Sequence, residues 1–170
     1  MRIEAAWKFQ EEGADFTRTG EDAWTLDLGG SAEAVVYGER ARLTPIGLLV
    51  EKSRRGPLLR LRGIDLDADR VVALGMEGVA VAAGDPDKTP QYPPLQCMWS
   101  ETPLRGWDFP RWRMVNFVTS EDEPTFRWRY VNENAFWRGT IEEMGFELLL
   151  PEENTERYQI VIRQVIALGR

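Results

Sequence analysis

The sequence predicts one mainly-β domain, an antiparallel β-sandwich or small barrel with a long Pro-rich loop and little helix. Three observations predict it. Bulky apolar residues alternate with polar ones in several short segments, the period of a half-buried strand. Glycine and proline interrupt these segments at close intervals, as turns require. Only one stretch carries a helix start signal. At 170 residues the chain suits a single domain spanning 1–170, with enough length to bury a sizeable core. It holds no internal repeat or low-complexity tract.

Taken in order, "AWTLDL" at 23–28 alternates Trp24, Leu26 and Leu28 with polar neighbours and reads as a strand. Short apolar runs follow at 47–51, 58–62, 70–74 and 78–82, with Gly63, Gly75 and Gly78 as breaks between them. Residues 84–110 contain Pro86, Pro90, Pro93, Pro94, Pro103 and Pro110. Proline removes ladder donors and fixes φ, so this stretch reads as extended loop, in which Leu95 to Trp99 can pack inward. "WRMVNFV" at 112–118 and "TFRWRYV" at 125–131 are the strongest strand signals, the latter with Phe126, Trp128 and Tyr130 on one face and Arg127 and Arg129 on the other. Core is the default reading for Trp24 and Trp128. "NEN" at 132–134 turns the chain into "AFWRG", which reads as a hairpin. "GFELLL" at 145–150 and "RYQIVIRQVIAL" at 157–168 form a second predicted hairpin across "PEENTE". β-Branched density favours strand over helix in the last segment, where Tyr158, Ile160 and Ile162 share a face. The one helix signal is "TIEEM", where Thr140 and Glu143 have capping-box spacing.

Composition narrows function. A net charge of −7 disfavours a broad nucleic-acid footprint, which needs a basic face. No segment approaches the roughly 20 apolar residues of a membrane-spanning helix, and "MRIEAAWKFQEEG" has no long apolar run, so the chain reads as cytosolic when made. Histidine is absent, which excludes Ser-His-Asp and Cys-His catalysis and imidazole metal sites. Cys97 is the sole cysteine; it excludes an intrachain disulfide and a cysteine-rich zinc site, and its apolar neighbours "LQCMW" make it a packed thiol rather than a nucleophile. No cofactor is implied.

Three weaker patterns remain. Asp65, Asp67 and Asp69 alternate like the start of a calcium loop, but Arg70 and Met76 stand where that loop needs Gly and Glu. Glu133, Glu142, Glu143 and Glu147 follow the aromatic segment, where a carboxylate pair beside tryptophan suits glycoside hydrolysis. Binding sugar without cleavage needs less, only exposed aromatics and a few polar groups. The chain also concentrates Trp and Arg in one stretch, Trp99, Arg105, Trp107, Arg111, Trp112 and Arg113, the residue types that dominate interfaces. Any sugar site is expected to use Trp99, Trp107 or Trp112.

One ordered phrase stands out. It runs Phe16-Thr17-Arg18, then Arg42, Gly47-Leu48-Leu49-Val50-Glu51, Arg54 and Leu58-Leu59. This phrase resembles one common in bacteriophage tail-fibre and head-fibre proteins; it covers residues 13–60, and Arg55-Gly56-Pro57 stands where that family usually continues Thr-Asn. The resemblance implies a fibre-like N-terminal segment over 1–60 and a non-enzymatic virion structural protein, made in the host bacterial cytoplasm and assembled as a tail fibre, head fibre or capsid decoration. It further implies other virion proteins and a second copy of the chain as partners, with a trimer first by analogy. A carbohydrate-binding attachment module for a host surface glycan is the alternative, and a glycoside hydrolase the third reading.

Overall fold

Alternation of side chains builds this protein into two antiparallel sheets that enclose one core. The computed structural model describes residues 1–9, 16–53, 55–82, 94–119, 122–123, 125–149 and 158–170. Their strands are, in order, β1 (Arg2–Lys8), β2 (Phe16–Arg18), β3 (Ala23–Gly29), β4 (Ala32–Tyr37), β5 (Arg40–Thr44), β6 (Gly47–Lys52) and β7 (Gly56–Asp67). A short 3-10 turn at Ala68–Arg70 leads to β8 (Ala73–Ala82), β9 (Leu95–Ser100), β10 (Met114–Asn116), β11 (Val118–Thr119), β12 (Phe126–Tyr130), β13 (Thr140–Leu148) and β14 (Tyr158–Gly169). The first sheet runs β11-β12-β8-β14-β6-β5, with β1 paired to the far half of β14. The second runs β10-β9-β13-β7-β4-β3-β2. The predicted mainly-β class is what the chain adopts, as a sandwich rather than a barrel.

Period-two patterning sets most of the register. Ala34 and Val36 of β4, Leu48 and Val50 of β6, and Tyr158, Ile160 and Ile162 of β14 all point into the core. A register shift between Ile162 and Gln164 then changes the phase of β14, so that Val165 and Ala167 continue the same face.

Several expectations are corrected by the fold. The runs 70–74 and 78–82 are not two strands: β8 passes straight through Gly75 and Gly78. Those glycines make room for neighbours, since a Cβ on Gly75 would meet the Phe126 ring and one on Gly78 the Val161 carbonyl. "TIEEM" is the start of β13, in the middle of the second sheet, because its Glu143 is buried against arginine and not exposed on a helix. The segments flanking "NEN" do not form a hairpin, because β12 lies in the first sheet and β13 in the second. For the same reason β13 and β14 are not a hairpin; "PEENTE" itself lies outside the described residues. Within the Pro-rich stretch, residues 84–93 lie outside the described residues, while Leu95–Ser100 is strand β9 and its Leu95, Cys97 and Trp99 join the core.

Candidate functional site

At one edge of the sandwich, β10 of the second sheet faces β12 of the first across a cleft of about 380 Å³. Met114, Val115 and Asn116 form one wall. Arg129 and Tyr130 form the other, closed at one end by Glu133 and Asn134 of the turn that follows β12. The direction of β12 explains its lining. Arg127, opposite Met76, is buried at 2% exposure, whereas Trp128 and Tyr130 take the outer side. The alternation expected for this strand is present, but the residue that turns inward is Arg127 and not Trp128, while Arg129 is exposed.

Two aromatic pairs flank the cleft. Trp112, two residues before Met114, is 55% exposed and meets the 39% exposed Phe136 edge-on at 4.4 Å between ring centroids. The Arg113 guanidinium lies 4.5 Å from the Trp112 ring centre and is itself tied to Glu101. On the other side Tyr130, 43% exposed, packs perpendicular to Trp128 at 4.8 Å. Val118, also exposed, stands opposite Trp128 on the edge strand β11. Four of the seven large apolar side chains that the described residues leave exposed thus gather at this edge.

The turn presenting Phe136 is held from beneath. The Phe136 amide donates to Asn134 Oδ1 (2.9 Å) and the Trp137 amide to the Asn134 carbonyl (3.0 Å). Buried Trp99 donates through Nε1 to the Phe136 carbonyl (3.0 Å), and Trp137 donates to the Ala68 carbonyl (3.1 Å). The Trp99 and Trp137 rings meet edge-on at 5.1 Å. An exposed aromatic fixed in this way loses little freedom when a ligand docks.

The six residues of the Trp/Arg stretch part company in the structure. Trp99 is fully buried. Trp107 is half-buried, edge-on to Tyr37 and Phe109 on the outer face of the second sheet. Arg105 is exposed. Arg111 bonds Glu147 (2.9 Å) and the Met98 sulfur (3.4 Å). Only Trp112 and Arg113 reach the cleft edge. The loop that carries these residues covers a buried ion pair, in which Arg60 Nη2 meets Glu143 Oε2 at 2.5 Å. Arg60 also donates to the Leu104 carbonyl (2.7 Å) and the Gly106 carbonyl, and its guanidinium lies 5.5 Å from the Phe109 ring centre. Sequence reasoning gave Tyr130 and Phe136 no part in binding and read Asn134 only as part of the turn at 132–134, a turn that the Asn134 side chain does hold by accepting from the Phe136 amide.

The other candidate groups have structural roles. Glu143 is held by Arg60 and by Arg62 (3.4 Å), and Glu147 by Arg111. Asp67 caps the short 3-10 turn by accepting from the Asp69 amide. Among the described residues no group of three or more His, Cys, Asp or Glu could hold a metal. Burial pushes the Cys97 thiol far above its ordinary range, so it carries no thiolate at neutral pH.

No family model matches this chain, and no curated protein does. It is similar to one solved structure, described as a low affinity xylan binding module, CBM86, from the gut symbiont Roseburia intestinalis. That likeness covers 96% of this chain and 89% of the other at 12% identity and a TM-score of 0.39, too slight to carry function across. The expected kinship with phage fibre proteins is corrected here. No family model and no curated protein of that kind matches, the solved structure found is described as a xylan binding module, and the residues of the phrase are divided between the two sheets. Phe16, Thr17 and Arg18 form β2 in the second sheet, while Gly47, Leu48, Leu49, Val50 and Glu51 belong to β6 in the first, with Leu48 and Val50 in the shared core; Arg54 lies outside the described residues. With that kinship go the virion location, the other virion proteins as partners, and the trimer drawn from fibres. What the structure shows of the chain is a β-sandwich module.

Proposed function

We propose that the chain binds carbohydrate at the β10–β12 cleft and does not cleave it. The observation that carries this reading is the pairing of Trp112 with Phe136 and of Tyr130 with Trp128 on either side of a cleft walled by Asn116, Arg129, Glu133 and Asn134. A sugar ring has apolar C–H faces and polar edges. Aromatic rings take the first, and the amide, guanidinium and carboxylate groups take the second. Glycoside hydrolysis by the common route needs two opposed carboxyl groups, and among the described residues Glu133 is the single carboxylate of this lining.

Titration calorimetry against xylohexaose, cellohexaose and mannohexaose tests the reading. Binding to at least one oligosaccharide is expected, weakened at least about tenfold by Trp112→Ala and by Tyr130→Ala with the circular dichroism spectrum unchanged. No binding to these sugars or to a wider glycan array, or binding indifferent to both substitutions, would refute it.

A further inference from the structure

The opposite edge of the sandwich carries a second groove of different chemistry. It is the larger of the two, about 490 Å³, and is lined by Trp24 of β3, by Arg40, Ala41 and Arg42 of β5, and by Leu49 and Glu51 of β6. Arg18 of β2 lies with its guanidinium 5.6 Å from the Trp24 ring centre. Phe16 stacks on the same indole with the ring planes 3° from parallel. Parts of the 13–60 phrase meet here: Arg42, Leu49 and Glu51 line the groove, and Phe16 and Arg18 pack on its Trp24 wall.

Its charge runs against the rest of the chain. In a protein of net charge −7, the groove is lined by two guanidiniums, Arg40 and Arg42, and one carboxylate, Glu51, with the Arg18 guanidinium beside its Trp24 wall. Glu51 is within 3.9 Å of Arg40 and 3.5 Å of the Gln159 amide nitrogen, so it is already engaged. Arg18 is tied to the Gly20 and Glu21 carbonyls. Arg42 is exposed and has no hydrogen-bond or ion-pair partner among the described residues. A guanidinium fork of this kind matches a carboxylate in two parallel bonds. The wall beside it is apolar, made of indole, Ala41 and Leu49. The groove is short, and the remaining surface is too acidic for a long polyanion such as nucleic acid, which needs a continuous basic face.

We infer that this groove binds a carboxylate-bearing sugar, a hexuronate unit of an acidic glycan, with Arg42 taking the carboxylate, Arg40 and Arg18 supplying the local field, and the Trp24 wall meeting the ring. The inference uses none of the residues of the β10–β12 cleft, so it stands or falls apart from the function proposed there.

The test follows the indole N–H resonances of Trp24 and Trp112 by NMR during titration with trigalacturonate and with its carboxyl-reduced neutral counterpart. Trigalacturonate should move the Trp24 signal and leave Trp112 in place. The affinity should fall at least about tenfold with Arg42→Gln, less with Arg42→Lys, and should weaken as salt rises from about 20 to about 200 mM. Both substitutions are at an exposed side chain and leave the core intact. Four results would overturn the inference: no shift of Trp24, an equal response to the neutral trisaccharide, indifference to Arg42→Gln, or displacement by sulfate at equal charge concentration, which would make the site one for any small anion. If Trp112 moves in place of Trp24, this groove is not the acidic-sugar site and the other cleft is, which leaves the proposed function standing.

Discussion

Two segments of nearly the same composition behave in opposite ways. "WDFPR" at 107–111 lies across the outer face of the second sheet, before Trp112 turns out to the cleft edge, and "FRWRY" at 126–130 is a strand of the first. In the former, Trp107 and Phe109 form a lid, and the charges beneath them, Arg60 and Glu143, are sealed from water. In the latter, Arg127 takes the inner side and the aromatics are left at the surface. The difference teaches that a Trp/Arg alternation says where two faces are, not which of them is wet. For Arg60 what decides is the partner available on that face, a buried carboxylate and loop carbonyls. Only the open face has aromatics to offer a ligand.

The sharpest way to break the contrast is to disturb the covered side. Glu143→Ala leaves Arg60 buried without its counter-charge and should cost about 3–5 kcal/mol in urea unfolding. Arg60→Met combined with Glu143→Leu should cost clearly less than Glu143→Ala alone, since no unpaired charge remains. Equal losses would show that the pair is not what holds the lid.

A smaller disturbance uses the glycines under each set of rings. A Cβ on Gly145 would come within 2.7 Å of Phe109 and 2.8 Å of Trp107, so Gly145→Ala should lift the lid and cost about 1–3 kcal/mol. It should also open residues 101–113 to thermolysin. Gly75→Ala makes a still closer approach to Phe126, 2.3 Å, but what it meets is the far end of a half-exposed ring rather than a covered one. Its cost should be the lower of the two; the reverse order would mean that the face bearing Phe126 is covered as well.

Where β4 passes to β5 the chain crosses from one sheet to the other, and a carboxylate marks the crossing. Burial raises the Glu39 carboxyl, but hydrogen bonds from the Ser53 hydroxyl and amide, with Lys52 nearby, outweigh that and hold it below the ordinary carboxylate range. A carboxyl depressed in the folded state binds fewer protons there than in the unfolded chain. Its contribution is therefore complete above the ordinary value of 4.5 and lost as pH falls through the folded one. Glu39→Gln should cost about 1 kcal/mol at pH 7. It should also flatten the pH dependence of the melting temperature below the ordinary carboxylate range, where an unchanged slope would assign that dependence to other groups.

The sequence made the class and several strands legible because alternation survives wherever one face is apolar. β3, β6 and β14 follow from it directly. It misled where a charged residue is inside. Glu143 in β13 breaks the apolar alternation and imitates a helix cap, and Arg127 in β12 makes the buried side look like the wet one. Both hairpins failed for another reason: turn residues show that the chain reverses, not whether it returns to the same sheet. For the site, Trp112 was legible as a loop aromatic, but Trp99 was not distinguishable from it, because its burial depends on β9 entering a sheet beside β13. Phe136 and Tyr130 gain their exposure from crossings between sheets, which no local pattern encodes.

The smallest effect on stability should be the most informative about the open face. Trp112 contacts Phe136 and Arg113 but is more than half in solvent, and the turn opposite it is held by Trp99 and Trp137 without its help. Removing an exposed side chain of this kind changes stability by about 0.5 kcal/mol or less. Trp112→Ala should therefore leave the melting temperature nearly unchanged while it weakens oligosaccharide binding. Trp107→Ala, in the covered segment, should do the opposite, lowering the melting temperature and leaving the sugar affinity of the folded protein intact. If Trp107→Ala instead lowers affinity in a fully folded protein, the lid is part of the binding surface, and the two segments differ less than their burial indicates.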